Sequence, residues 1–161
     1  MILNRQKWKT YAFWILLAEG LGFLSGLLSR EATEIYAQMA DKPPLSPPGW
    51  LFPVVWTVLY ALMGIGAARI SLAESTPQSQ RGLNLFIAQL IVNFFWSLIF
   101  FNAQAYGFAA LWIVFLWILV VLMILSFRRT DPLAAWLQIP YLLWLTFAAY
   151  LNFGVWILNR G

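Results

Sequence analysis

The residues able to do chemistry in this 161-residue sequence are few, and most lie inside apolar runs. Glu19 is a carboxyl near the middle of the first such run, where an ionised acid costs about 2.5–3.5 kcal/mol on insertion scales. It must therefore be protonated, paired or facing water. It is either a proton-coupled site or a neutral acid hydrogen-bonded within the fold, with Asn152 or Gln89 as partner, and the second reading is preferred. Gln89 and Asn93 form an amide pair one helical turn apart in another apolar run, and buried amides need partners from a neighbouring helix or from a ligand. The interhelical role suits Gln89 better and the ligand role Asn93. Trp56 and Tyr60 share a helix face, as do Asn93, Trp96 and Ser97, and Trp144, Ala148 and Leu151. Each of these stripes is either packing filler or the wall of a pocket. With no His and no Cys anywhere, the imidazole base, the thiolate nucleophile, the usual zinc ligands and the usual axial haem ligands are all excluded.

The elements that must position these residues follow from composition. At 62% hydrophobic and 10% charged residues, the chain has too little polar surface to coat a water-soluble globule, and the lipid bilayer becomes its solvent. Five continuous apolar segments reach the roughly 20 residues a helix needs to cross the hydrocarbon core, near residues 11–29, 50–72, 83–101, 106–127 and 133–158. They are expected as helices because lipid-exposed backbone must satisfy its own hydrogen bonds. The expectation is an all-α polytopic membrane protein, a single five-transmembrane-helix bundle over residues 1–161. The net charge of +4 does not point to nucleic acid, because the basic residues sit between the apolar segments. Arg5, Lys7, Lys9, Arg69, Arg81, Arg128 and Arg129 collect on one side, against Arg30, Lys42 and Arg160 on the other. This asymmetry predicts a cytoplasmic N-terminus, an outside C-terminus and an extracytoplasmic first loop, residues 30–49. The basic N-terminus resembles a signal peptide, but its apolar run is too long and lacks a cleavage site, so it is read as a retained first span. An odd number of spans argues against a transporter of inverted repeats. Gly22 and Gly26 form a GxxxG that fits either a homodimer seam or close packing within one chain.

The first loop carries the most informative stretch, KPPLSPPGW from Lys42, followed by FPVVWTVLYALMG. Pro43, Pro44, Pro47 and Pro48 make a stiff, extended lid leading into the second span. Trp8, Trp14, Trp50, Trp136 and Trp156 fall near span ends as interfacial anchors, whereas Trp56, Trp96 and Trp144 lie deeper, where an indole N–H needs a partner. These stretches, with NFFWSLIFF and PYLLWLTFAAYLNFGVW in the same order, resemble the signatures of the translocator protein family, also called tryptophan-rich sensory proteins or peripheral benzodiazepine receptors. The likeness covers nearly the whole chain. It implies a five-helix bundle whose cavity opens beneath the first loop and binds protoporphyrin IX, haem, sterols and isoquinoline carboxamides, with no obligatory cofactor and no metal. The implied pocket residues are Trp56, Tyr60, Asn93, Trp96, Ser97, Trp144, Ala148 and Leu151, with Tyr36, Pro47 and Pro48 from the lid. Phe108 stands where many members have Trp, leaving that wall aromatic without an N–H donor. Phe153 and Ile157 depart from the sterol motif of animal members, so no sterol transport is expected.

The resemblance thus implies a membrane-embedded sensor or binding protein for tetrapyrroles, regulating porphyrin traffic, with a bacterial cell membrane as its expected location. Two alternatives belong to other classes. One is a light- or oxygen-dependent porphyrin-degrading enzyme in which Trp56 and Trp144 hold the ring or stabilise a radical. The other is a small proton-coupled exporter using Glu19.

Overall fold

The computed structural model describes residues 2–160, with side chains from Asn4 onward. Its elements are α1 (Ile2–Leu28), α2 (Arg30–Met39), α3 (Leu51–Leu72), α4 (Pro77–Ser97) continued by a π-turn at Leu98–Asn102, α5 (Tyr106–Thr130), α6 (Pro132–Trp136) and α7 (Ile139–Asn159). No strand occurs among the described residues. Five helical stretches are long and apolar enough to cross a bilayer: Asn4–Leu28, Leu51–Leu72, Pro77–Asn102, Tyr106–Thr130 and Pro132–Asn159. The chain is an all-α, multi-pass membrane protein.

Three boundaries differ from the sequence expectation, each for a local reason. α1 reaches back to Ile2 because nothing between Leu3 and Thr10 breaks a helix, and Arg5, Lys7 and Lys9 stay exposed along it. α4 begins at Pro77 and not at Leu83. Thr76 caps it, its hydroxyl accepting from the Ser79 N–H (3.1 Å) while the Ser79 hydroxyl accepts from the Thr76 N–H (2.9 Å), and Pro77 occupies a first-turn position where a missing N–H costs nothing. The first half of the expected extended loop is helical: α2 takes Arg30–Met39, and only residues 40–50 form the proline-rich lid.

α1 lies along α3, α4 along α5, and α5 along α7. Close approach depends on small residues: a β-carbon at Gly64 would stand 2.5 Å from the Ile15 Cα, so α1 and α3 touch backbone to backbone there. Met63, Phe86, Tyr141 and Leu145 fill the interior. Leu16, Leu111, Phe115 and Leu143 point outward, as lipid-facing positions should. Polar groups tie the helices at intervals: Ser25 donates to the Phe94 carbonyl (3.0 Å) and the Trp112 indole to the Val92 carbonyl (2.7 Å). At the end remote from the lid, Arg69 Nε pairs with Asp131 Oδ2 (2.7 Å), while Asp131 Oδ1 caps α6 by accepting from the Leu133 N–H (3.1 Å). Trp8, Trp50, Trp136 and Trp156 are exposed, but Trp14 is no surface anchor; its ring meets Phe86 edge-on (5.6 Å) against the core.

Candidate functional site

Between the helices, under the lid, lies a cavity of about 930 Å³. α3 supplies Phe52, Trp56 and Tyr60 to its wall, α4 supplies Asn93, Trp96 and Ser97, and α7 supplies Trp144, Ala148 and Leu151. Each set repeats every three or four residues, the spacing that keeps side chains on one helix face. Tyr36 and Pro47 close the lid end.

A buried hydrogen-bond chain fixes the polar part of this wall. The Tyr60 hydroxyl donates to Asn93 Oδ1 (2.8 Å), Asn93 Nδ2 donates to the Tyr141 hydroxyl (2.7 Å), and Tyr141 donates to Gln89 Oε1 (2.7 Å). Three helices are thereby locked in register, and the Asn93 amide is held still with one N–H to spare. Trp96 donates its indole N–H to Asn152 Oδ1 (3.0 Å), and Asn152 Nδ2 donates to the Tyr106 carbonyl (2.9 Å). The indole nitrogens of Trp56 and Trp144 have no hydrogen-bond partner among the described residues, and both side chains line the cavity.

The lid is clasped to α7. Asn159 makes a reciprocal pair with the Asp41 backbone, accepting from its N–H (3.0 Å) and donating to its carbonyl (2.8 Å). The Tyr150 hydroxyl donates to the Pro44 carbonyl (2.8 Å), and Pro43 packs so closely on Gly154 that a β-carbon there would stand 2.6 Å from its ring. Leu45 adopts φ 70°, a left-handed conformation costing a non-glycine residue about 1–2 kcal/mol, held by the Tyr150 bond and by Ser46 donating to the Pro43 carbonyl (2.8 Å). Tyr36 packs edge-on against Phe100 and Phe101 (5.3 and 5.2 Å), with the Lys42 ammonium over its ring at 5.1 Å. Burial, and then the neighbouring Tyr106, push the Tyr36 hydroxyl from its ordinary 10.0 up to about 12, so it stays a neutral phenol at neutral pH. The Phe100–Phe101 pair sits in the π-turn, where Ala103 N–H donates to the Leu98 carbonyl (2.9 Å) five residues back.

The structure places four sequence readings differently. Pro48 is exposed and outside the cavity wall; its carbonyl instead accepts from the Leu51 N–H (3.0 Å), starting α3. Phe108 faces outward, and α5 contributes Ile113 and Leu116, so this wall is aliphatic and not aromatic. The partners expected for Glu19 are committed elsewhere, Asn152 to Trp96 and Tyr106, Gln89 to Tyr141 and Met63. Glu19 itself lines the cavity. Of the two glycines, Gly22 lies against the Tyr60 ring inside the chain, while Gly26 faces open cavity.

Sequence reasoning missed Tyr141, Phe52, Phe100 and Phe101. The first two were legible in principle, since Tyr141 stands three residues before Trp144 on the same face and Phe52 four before Trp56. The phenylalanine pair was not, because a π-turn leaves no periodic signal.

A profile of the TspO/MBR family matches residues 14–157. The chain is 38% identical over 151 residues to the tryptophan-rich protein TspO of Chlorobaculum tepidum, covering 93% of this chain and 96% of that one. It is 42% identical over 121 residues to the protein CrtK of Rhodobacter capsulatus, covering 74% and 76%. Over 154 residues it is 34% identical to the translocator protein of Homo sapiens, covering 93% and 90%. With five apolar helices in one chain and family likeness running through all of them, this protein belongs to the TspO/MBR family.

Proposed function

We propose that the capped cavity is a binding site for tetrapyrroles and related flat, apolar ligands, and that its occupancy is the signal or the cargo of a membrane sensor or translocator. The observation that carries this reading is a pair of cavity-lining tryptophans, Trp56 and Trp144, whose indole N–H groups have no protein partner among the described residues. Open to the cavity and unused by the protein, these N–H groups can donate to a ligand acceptor while the indole faces supply stacking area. The cavity volume suits a ligand of macrocycle size, at the upper end of the usual range of about 300–1,000 Å³. Ala148 leaves room beside Trp144, and the spare Asn93 N–H offers an edge contact from a side chain that no longer needs to be ordered. The names of the relatives, a sensory protein and a translocator, fit such a role.

A ligand that binds only the closed lid stabilises that state by mass action, which is how occupancy becomes a readable conformation. The test is the absorbance spectrum of protoporphyrin IX with purified protein, in dark and in light. A reversible red-shift with saturable tryptophan quenching is expected. No shift and no quenching would reject the reading, and loss of the porphyrin band faster than with a Trp56→Phe, Trp144→Phe double variant would replace binding by chemistry.

A further inference from the structure

Glu19 is the ionisable group that the reading above leaves without a task. It lies nine residues before the end of α1 at Leu28, roughly 13 Å below the lid end at 1.5 Å per residue. One turn later, Gly22 seats the Tyr60 ring, and Glu19 and Tyr60 both line the cavity. No side chain turns to it: Tyr60 donates to Asn93, Asn152 serves Trp96 and Tyr106, and Gln89 serves Tyr141 and Met63. Among the described residues Glu19 forms no ion pair.

The other ionisable groups on the wall all stand at the lid end, namely Arg30, Glu34 and Tyr36 on α2 and Lys42 in the lid. Lys42 is occupied with the Ala37 carbonyl (2.9 Å) and the Tyr36 ring, whereas Arg30 is exposed. α3 adds only Tyr60, and α4, α5 and α7 add no ionisable side chain among the described residues. The cavity is therefore ordered along its axis, with the two cations Arg30 and Lys42 beside the Glu34 carboxyl at the mouth, the Glu19 carboxyl alone farther in and aromatic faces between them. A carboxylate on a largely apolar cavity wall attracts a cation more strongly than one in water, and the aromatic faces of the cavity add cation–π attraction.

We infer that Glu19 makes the deep end of the cavity a subsite for a cationic or N–H-donating group, so that the protein selects lipophilic ligands carrying such a centre and turns their acid groups toward Arg30 and Lys42. This rests on the ligand-site reading and adds to it a charge class and an orientation. Among the described residues no side chain pairs with or hydrogen-bonds this carboxyl, and a ligand's positive or N–H group entering the cavity satisfies it.

The experiment uses the full chain in nanodiscs with tetraphenylphosphonium and tetraphenylborate, lipophilic ions of nearly the same size and opposite permanent charge, so that only the protein titrates. Affinities are read by tryptophan quenching after subtracting partition into protein-free nanodiscs, for the natural chain and for Glu19→Gln, with protoporphyrin IX measured beside them. The natural chain is expected to prefer the phosphonium. Glu19→Gln should weaken phosphonium binding about tenfold or more, the size of a lost attraction between opposite charges at low effective dielectric, and should leave or raise borate binding. Equal phosphonium-to-borate ratios in the two proteins, with protoporphyrin bound by both, would overturn the inference and leave the ligand site standing. A natural chain that shows no preference for the phosphonium overturns it without reference to any variant. If the natural chain binds none of the three probes, both readings fall.

Discussion

Asn93 holds two tyrosines at once, and this changes what its loss should do. A side chain that only touched ligand would cost affinity alone, but Asn93→Ala also strips the Tyr60 hydroxyl of its acceptor and Tyr141 of a donor. Leaving such buried groups unpaired costs about 1–3 kcal/mol, so this variant should unfold earlier in detergent as well as bind protoporphyrin more weakly. Trp56→Phe and Trp144→Phe remove an N–H that no protein group uses and should weaken porphyrin binding roughly 2- to 13-fold with unfolding unchanged. Trp156→Phe, on the outer surface, is the control. Equal losses in all four would mean that the cavity tryptophans are packing and nothing more. The two glycines of α1 separate in the same way. A β-carbon at Gly22 drives into a Tyr60 ring that Asn93 prevents from yielding, so Gly22→Ala should destabilise by about 1–3 kcal/mol, while Gly26→Ala, facing open space, should stay within about 0.5. Matching losses at both positions would place them in one helix seam, as a GxxxG dimer requires.

At the scale of elements, the lid is a covered span of chain whose ends are fixed by different means. α2 and Tyr36 rest on the π-turn of α4, and residues 41–44 are bound to α7 by Asn159, Tyr150 and the Pro43–Gly154 packing. The second attachment consists of a few hydrogen bonds at an exposed edge, worth about 0.5–1.5 kcal/mol each, and a strained Leu45 already works against it. If ligand leaves past the lid, Asn159→Ala and Tyr150→Phe should each speed protoporphyrin dissociation roughly 2- to 13-fold in stopped-flow measurements, with little change in association. Dissociation rates unchanged in both would show that ligand leaves by another route. The cap of α4 illustrates a different point about elements: Thr76 and Ser79 satisfy each other, so Ser79 is buried in the first turn of α4 although its neighbours are polar.

For the molecule as a whole, the orientation in the membrane remains a matter of charge. Seven basic residues at the end away from the lid, set against Arg30, Lys42 and Arg160 at the other, predict that the lid faces outward. The chain has no Cys, so single cysteines report cleanly. Leu45, 80% exposed at the tip of the lid, and Ser75, exposed in the turn before α4, are the positions to use. Impermeant maleimide applied to intact cells should label Leu45→Cys and spare Ser75→Cys until the membrane is opened. The reverse pattern would invert the topology.

Features that depend on short range are written in the residue order alone. Length and apolarity of each run specify a bilayer-crossing helix, whatever the neighbours do, and three- and four-residue spacing places Trp56 with Tyr60 and Trp144 with Ala148 and Leu151 on common faces. The family likeness was equally legible, because KPPLSPPGW and its companion stretches are local strings. Which groups answer one another across helices came only with the packed bundle. Asn93 could have served a ligand alone, yet it binds Tyr60 and Tyr141; Asn152 could have hydrogen-bonded Glu19, yet it serves Trp96. Phe108 could have walled the cavity, yet α5 is turned so that Ile113 and Leu116 do. In an apolar bundle many rotations bury similar area, so one-dimensional periodicity cannot choose among them. The choice falls to close backbone approach at Gly64 and Gly22 and to a few directional hydrogen bonds, whose partners lie tens of residues apart.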